Sequence, residues 1–154
     1  MPEGYGVSHA PTSGMIAWSE VRDRLTQERN YWVATTYPDG RPHVMPVWGL
    51  WLDETFYFAT DTASRKGRNL AANSNVVVHL ESGDDVVVIE GCAAEVIEPF
   101  LLQGFVDAYE IKYQVRPDVN SITAKVYCLR PRVAFAWHEK DFPQSATRWS
   151  FDSD

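Results

Sequence analysis

Residues 31–96 are divided into short runs of aromatic and β-branched residues, most of them closed by a tight-turn signal, and this rhythm admits few folds. Tyr31–Tyr37, YWVATTY, has the side chains that suit a pleated, half-buried surface and reads as a strand. Pro38-Asp39-Gly40 ends it: proline presets φ and glycine takes the left-handed position of a hairpin turn. Arg41–Leu52 returns as a long second strand, and Asp53-Glu54 turns the chain into Thr55–Thr60. Asn75–Glu81 is a fourth strand, Ser82–Asp85 a second hairpin turn, and Val86–Val96 a fifth strand interrupted by Gly91. Ala124–Leu129 and Arg132–Trp137 form a sixth, interrupted by Pro131. Consecutive strands joined by tight turns, with few helices, predict a mainly β chain closed into a small barrel.

The second strand is unusual. Pro42 and Pro46 have no N–H to donate and Gly49 has no side chain, so it cannot be fully paired in mid-sheet. It is expected at a barrel edge or around a bulge, with backbone free to meet a ligand or a neighbouring subunit. Three helices complete the reading. Ile16–Arg29 places Val21 and Leu25 on one face; Ser64–Asn73 follows the third strand; Pro99–Gln114 repeats Phe100, Leu101, Phe105, Tyr109 and Tyr113 at near-helical spacing.

The middle helix carries a contradiction. Ser64 is a good N-cap, yet the first turn bears Arg65, Lys66 and Arg68. A helix N-terminus is the positive end of the dipole and favours acids. A bound anion, most simply a phosphate held by helix N–H groups and these side chains, resolves the repulsion. Charge alone leaves a solvated basic turn as the alternative.

Elsewhere the chain is acidic, with a formal charge of −7 over 154 residues, which speaks against nucleic acid as a partner. Residues 1–15 are polar and rich in Gly and Pro, and read as a mobile segment ahead of one domain over 16–154. They resemble neither a signal peptide nor a membrane span, so a cytoplasmic protein is expected. Cys92 and Cys128 have no metal-type spacing and read as buried apolar residues. His9, His43, His79 and His138 are scattered singly, and the acidic pairs sit in turns. No metal site, nucleophile or general base emerges, so any chemistry has to come from a bound cofactor.

The order of strand, D-G-R-P hairpin, long strand, F-Y-F-A-T, S-R-K, N-L-A-A-N and V-V-V-I-E-G resembles the pyridoxamine 5′-phosphate oxidase-like superfamily. The resemblance implies a six-stranded, Greek-key split β-barrel, homodimeric, with FMN or the deazaflavin F-420 at the subunit interface. By the same resemblance Arg65 and Lys66 grip the cofactor phosphate, with Ser64 and Asn69 in the same element. The backbone of Met45, Pro46, Val47 and Trp48 lies along the ring, Ala59 and Thr60 add contacts, and Trp137 with Arg148 closes the site. The enzymes that make pyridoxal phosphate carry a Lys where this chain has Leu50 and an Arg-x-His where it has Ala146–Trp149, and the family's cofactor-contacting Gln on the fifth strand is Val86 here. A true pyridoxamine phosphate oxidase is therefore not expected. The W-G-x-W and R-W-x-F segments resemble the deazaflavin-dependent branch, which places F-420 ahead of FMN. The function implied is hydride transfer with a small conjugated substrate. A non-catalytic flavin or tetrapyrrole carrier or sensor is the rival.

Overall fold

The computed structural model describes residues 15–151, so nearly all of the segment expected to be mobile lies outside the described residues. The elements are α1 (Trp18–Gln27), β1 (Tyr31–Thr36), β2 (Pro42–Val47), β3 (Gly49–Leu52), β4 (Thr55–Asp61), α2 (Arg65–Ala72), β5 (Asn75–His79), β6 (Asp85–Glu95), α3 (Pro99–Tyr113), β7 (Ala124–His138) and β8 (Thr147–Ser150). All strand pairs are antiparallel, in the order β2-β1-β5-β6-β7-β4-β3, with β8 added to β7. The sheet curls into a half-barrel, the mainly β split-barrel class expected from the sequence.

The eight strands resolve the six read from sequence in two ways. The tail 147–150 pairs with β7 as a strand of its own. More importantly, the long second strand is two. β2 pairs with β1 at one end of the sheet and β3 pairs with β4 at the other, so Trp48 is the single residue at which the chain crosses over. Pro131, expected to interrupt the last strand, does not break β7. Glu90 faces Val133 and Gly91 faces Pro131, leaving Arg132 as an extra residue in a bulge. A bulge is where a strand tolerates proline.

β4 shows how one strand organises two cores. Phe56 and Phe58 point into the barrel among Tyr31, Ile89 and Leu129, all fully buried. Tyr57, between them, faces the opposite side and packs with Leu50, Val96, Phe105, Val106 and Val126. α3 thus covers the outer face of β3, β4 and β7. Its N-terminus is closed by the Glu98 carboxylate, which accepts from the Phe100 and Leu101 N–H groups at 3.1 and 2.9 Å. α1 seats Val21 and Leu25 in the barrel core and sets Trp18 against Trp51, Trp149 and Phe151. Cys92 and Cys128 are free thiols and only half-buried, more exposed than expected. Among the described residues no helix is long and apolar enough to cross a membrane.

Candidate functional site

The basic helix α2 is built as its sequence suggests. The Ser64 hydroxyl accepts from the Gly67 N–H at 2.9 Å, donates to the Asp61 carbonyl at 2.6 Å, and lies 3.0 Å from the Thr60 hydroxyl. Asn69 is fully buried; its amide donates to the Thr35 hydroxyl at 3.1 Å and its carbonyl accepts from Arg65 at 3.2 Å. The Arg65 guanidinium also lies 4.8 Å from the Tyr37 ring centroid, which Arg41 shares at 4.3 Å. Asn69 and Tyr37 together therefore hold Arg65 in one place.

Lys66 is different. It is half-buried, and among the described residues it has no carboxylate or hydrogen-bond partner. Burial alone pulls its ammonium below the ordinary lysine range. Neither Arg65 nor Arg68 has an ion pair among the described residues. A desolvated cation without a counterion, beside a second fixed cation and a capped helix N-terminus, fits a bound anion rather than a solvated turn.

A cavity of about 370 Å³ lies beside β4, lined by Asn30, Pro46, Val47, Trp48, Ala59 and Tyr109. Thr60 follows Ala59 along β4 and its hydroxyl lies 3.0 Å from that of Ser64, at the start of α2. One wall is stiff. The Trp48 ring lies flat on Tyr113, with centroids 4.6 Å apart and planes at 2°, and the Arg29 guanidinium sits 4.9 Å from the Trp48 centroid. Pro46 offers no N–H to this space, so a planar apolar group can approach its backbone without orphaning a donor.

Pro46, Val47, Trp48 and Ala59 thus come together at the cavity, while Thr60, near the end of β4, gathers with Ser64, Arg65, Lys66 and Asn69 at α2. Met45 is 49% exposed on the edge strand and does not line the cavity. Trp137 and Arg148 stand apart from both within one chain. Trp137 contacts Phe142; Arg148 lies over Phe135 and donates to Ser150. Trp137 is eleven residues along β7 from Val126, the partner of Ala59. At ~3.3 Å per residue that is on the order of 30 Å of strand.

Sequence reasoning missed Thr35, Tyr37, Asn30 and Tyr109. Tyr109 was visible only as one of the aromatics at helical spacing, a pattern that signals packing and not a cavity wall. None of the described histidines lines the cavity. His79 stacks on Trp32, His138 bridges Glu20 and Asp85 at 2.9 and 2.8 Å, and His43 packs edge-on against Tyr37 with its Nδ1 buried and unpartnered among the described residues. No group of three metal-ligating side chains occurs among the described residues.

The profile of the pyridoxamine 5′-phosphate oxidase family matches residues 17–138. No curated protein matches the sequence. Among solved structures the chain is similar to a hypothetical protein of Mycobacterium tuberculosis at 23% identity and TM-score 0.73, covering 85% of this chain and 91% of that one. It is similar to a protein named F420 reductase at 23% identity and TM-score 0.58, covering 87% and 98%. It is also similar to a heme storage protein of Vibrio cholerae at 16% identity and TM-score 0.60, covering 74% and 87%. At these identities the likeness is one of fold.

Proposed function

The chain belongs to the pyridoxamine 5′-phosphate oxidase family, and from that premise we propose that it binds a flavin-type cofactor, F-420 ahead of FMN, as an oxidoreductase acting on a small conjugated substrate. The observation that carries this reading is Lys66, a half-buried cation without a counterion among the described residues, beside a cavity of the right kind for a planar ring. Arg65 and Lys66 hold the phosphate, with the α2 N–H groups behind them. Pro46, Val47, Trp48, Ala59 and Tyr109 receive the ring. When bound, the cofactor supplies the hydride; the chain supplies position and exclusion of water. Leu50, where the pyridoxal phosphate-making enzymes carry a Lys, is a buried apolar side chain that offers no charge to a pyridine phosphate. That supports an activity other than pyridoxamine phosphate oxidation.

Arg65→Ala and Lys66→Ala each remove a charge-assisted contact worth roughly 1.5–3 kcal/mol, or about tenfold or more in affinity. Titration of the apo-protein with F-420 and with FMN measures this, and unchanged affinity in both variants would place the anion elsewhere. The absorption spectrum of the purified protein separates the cofactors, and an intense heme band would instead favour the tetrapyrrole carrier.

The functional unit in this reading is a homodimer with the cofactor at its interface. β2 has an unpaired edge and exposes Val44 and Met45 at 43% and 49%, the kind of edge that proteins cover. A second chain is also the route by which Trp137 and Arg148 reach a site that is remote from them in their own chain. Light scattering is expected to give twice the 17.5 kDa chain mass; a monomer would leave both residues outside the site.

A further inference from the structure

The crossover between β2 and β3 is held by α3, and one lysine of that helix plays no part in the site described above. Lys112 is half-buried and has no ion pair among the described residues. Its Nζ donates to the Gly49 carbonyl at 3.1 Å and to the Tyr31 hydroxyl at 2.7 Å. It lies 4.8 Å from the Tyr31 ring centroid and 5.2 Å from that of Tyr113. Only glycine fits at position 49, since a Cβ there would meet the Phe56 ring at 2.5 Å and the Tyr57 carbonyl oxygen at 2.9 Å. The Gly49 N–H donates to the Tyr113 hydroxyl at 2.9 Å. Gly49 directly follows Trp48, whose ring rests on Tyr113 and walls the cavity.

We propose that Lys112 is a positioning residue of the ring cavity, its charge setting the seat of Trp48 through the Gly49 carbonyl and the Tyr113 ring. The consequence for ligand binding rests on the reading of that cavity as the ring site; the coupling to Trp48 does not. An ammonium bonds a carbonyl more strongly than a neutral amine does, and only the charged form is drawn to the tyrosine faces. Loss of the proton weakens the hold on Gly49 and on Tyr113 together.

The groups around Lys112 leave that proton as the one that moves near neutral pH. Glu28, with Arg24 and Glu81 beside it, favours the ammonium but is outweighed by burial, which brings Lys112 down to about 8. Burial raises Tyr31, Tyr109 and Tyr113, the last to about 12, so these stay protonated through that range. The Arg29 guanidinium lies over the other part of this cluster, 5.7 Å from the Tyr113 ring centroid.

The test is ¹⁹F NMR of the full chain labelled with 5-fluorotryptophan, the Trp48 resonance being assigned by its loss in Trp48→Phe. Between neutral pH and about pH 10 the wild-type resonance should move with a midpoint near pH 8. Lys112→Met should remove the titration, and Lys112→Arg, which stays charged, should hold the low-pH position throughout. A Trp48 resonance that is still in the wild type, or that moves alike in Lys112→Met, overturns the proposal. The arginine variant decides the matter if the methionine variant does not fold. With FMN as the probe, Lys112→Met should bind about tenfold more weakly at neutral pH, while affinity for inorganic phosphate is unchanged. A shifted Trp48 with unchanged FMN affinity would overturn the role in ring binding. Wild-type protein that binds neither FMN nor F-420 would instead remove the cofactor reading and leave the Trp48 titration standing.

Discussion

Replacing Gly67 by Ala should collapse the proposed phosphate grip, although glycine to alanine inside a helix ordinarily stabilises it by about 1 kcal/mol. Gly67 is in the first turn of α2, and an added Cβ would stand 2.3 Å from the Asp61 carbonyl oxygen and 2.9 Å from the Thr62 Cα. Both are backbone atoms and cannot rotate away. The turn must lift off the end of β4, and the bond from the Gly67 N–H to the Ser64 hydroxyl goes with it. Overpacking of this kind costs roughly 3 kcal/mol, which lowers the melting temperature by about 6–12 °C in a chain of this size. Arg65 and Lys66 are displaced together, so affinity for FMN or F-420 should fall about 100-fold or more. Calorimetry and ligand titration measure the two effects. Gly104→Ala in α3 is the control: nothing lies within 4 Å of its added Cβ, and the ordinary helix propensity should raise stability by about 1 kcal/mol. If Gly67→Ala behaves like Gly104→Ala, the packing of α2 on β4 is not what holds the grip.

The proposed grip could be picked out in the sequence because it breaks a local rule. Three cations at a helix N-terminus have no folding rationale, and a rule broken without compensation points to function. The cap at Ser64 and the ends of α2 follow from residue types alone. The crossover at Trp48 was not legible. Pro42, Pro46 and Gly49 say that the second strand cannot be paired throughout, but a bulge and a change of sheet position leave the same mark on a sequence. What decides between them is Gly49 under Phe56, a contact between strands that local pattern does not contain. Pro131 misled in the opposite direction, because the bulge that accommodates it depends on the register against Gly91. Arg65 is anchored by Asn69 and Tyr37, yet only Asn69 could be inferred, since it lies four residues away on the same helix. Tyr37 reaches Arg65 from another strand. Trp137 and Arg148 were assigned by family likeness, and one chain leaves them remote from the grip.

The sharpest consequence of a cavity lined by no histidine or carboxylate concerns Trp48. Hydride transfer from a reduced ring needs correct placement and no ionising side chain, and the cavity lining supplies placement only. Trp48→Ala removes the wall that rests on Tyr113 and lets the ring shift, and even ~1 Å of misplacement can cost on the order of 10²-fold in rate. His43→Gln, His79→Gln and His138→Gln should each change turnover by much less than the ~10²-fold typical of losing a general acid or base. The three are not equal tests. His79 and His138 are bound to Leu80 and to two carboxylates and lie outside the cavity lining. His43 sits beside Tyr37, next to the grip, with a buried nitrogen that has no partner among the described residues. His43→Gln is therefore the variant best able to defeat the argument. Single-turnover oxidation of the bound, reduced cofactor across pH separates the cases, with melting temperature measured alongside, because loss of a Trp side chain can itself cost about 3–5 kcal/mol. A folded His43→Gln protein that binds cofactor normally and yet fails to turn over would put a protein acid at the centre of the chemistry. A folded Trp48→Ala protein with wild-type turnover would show that the ring does not depend on this wall.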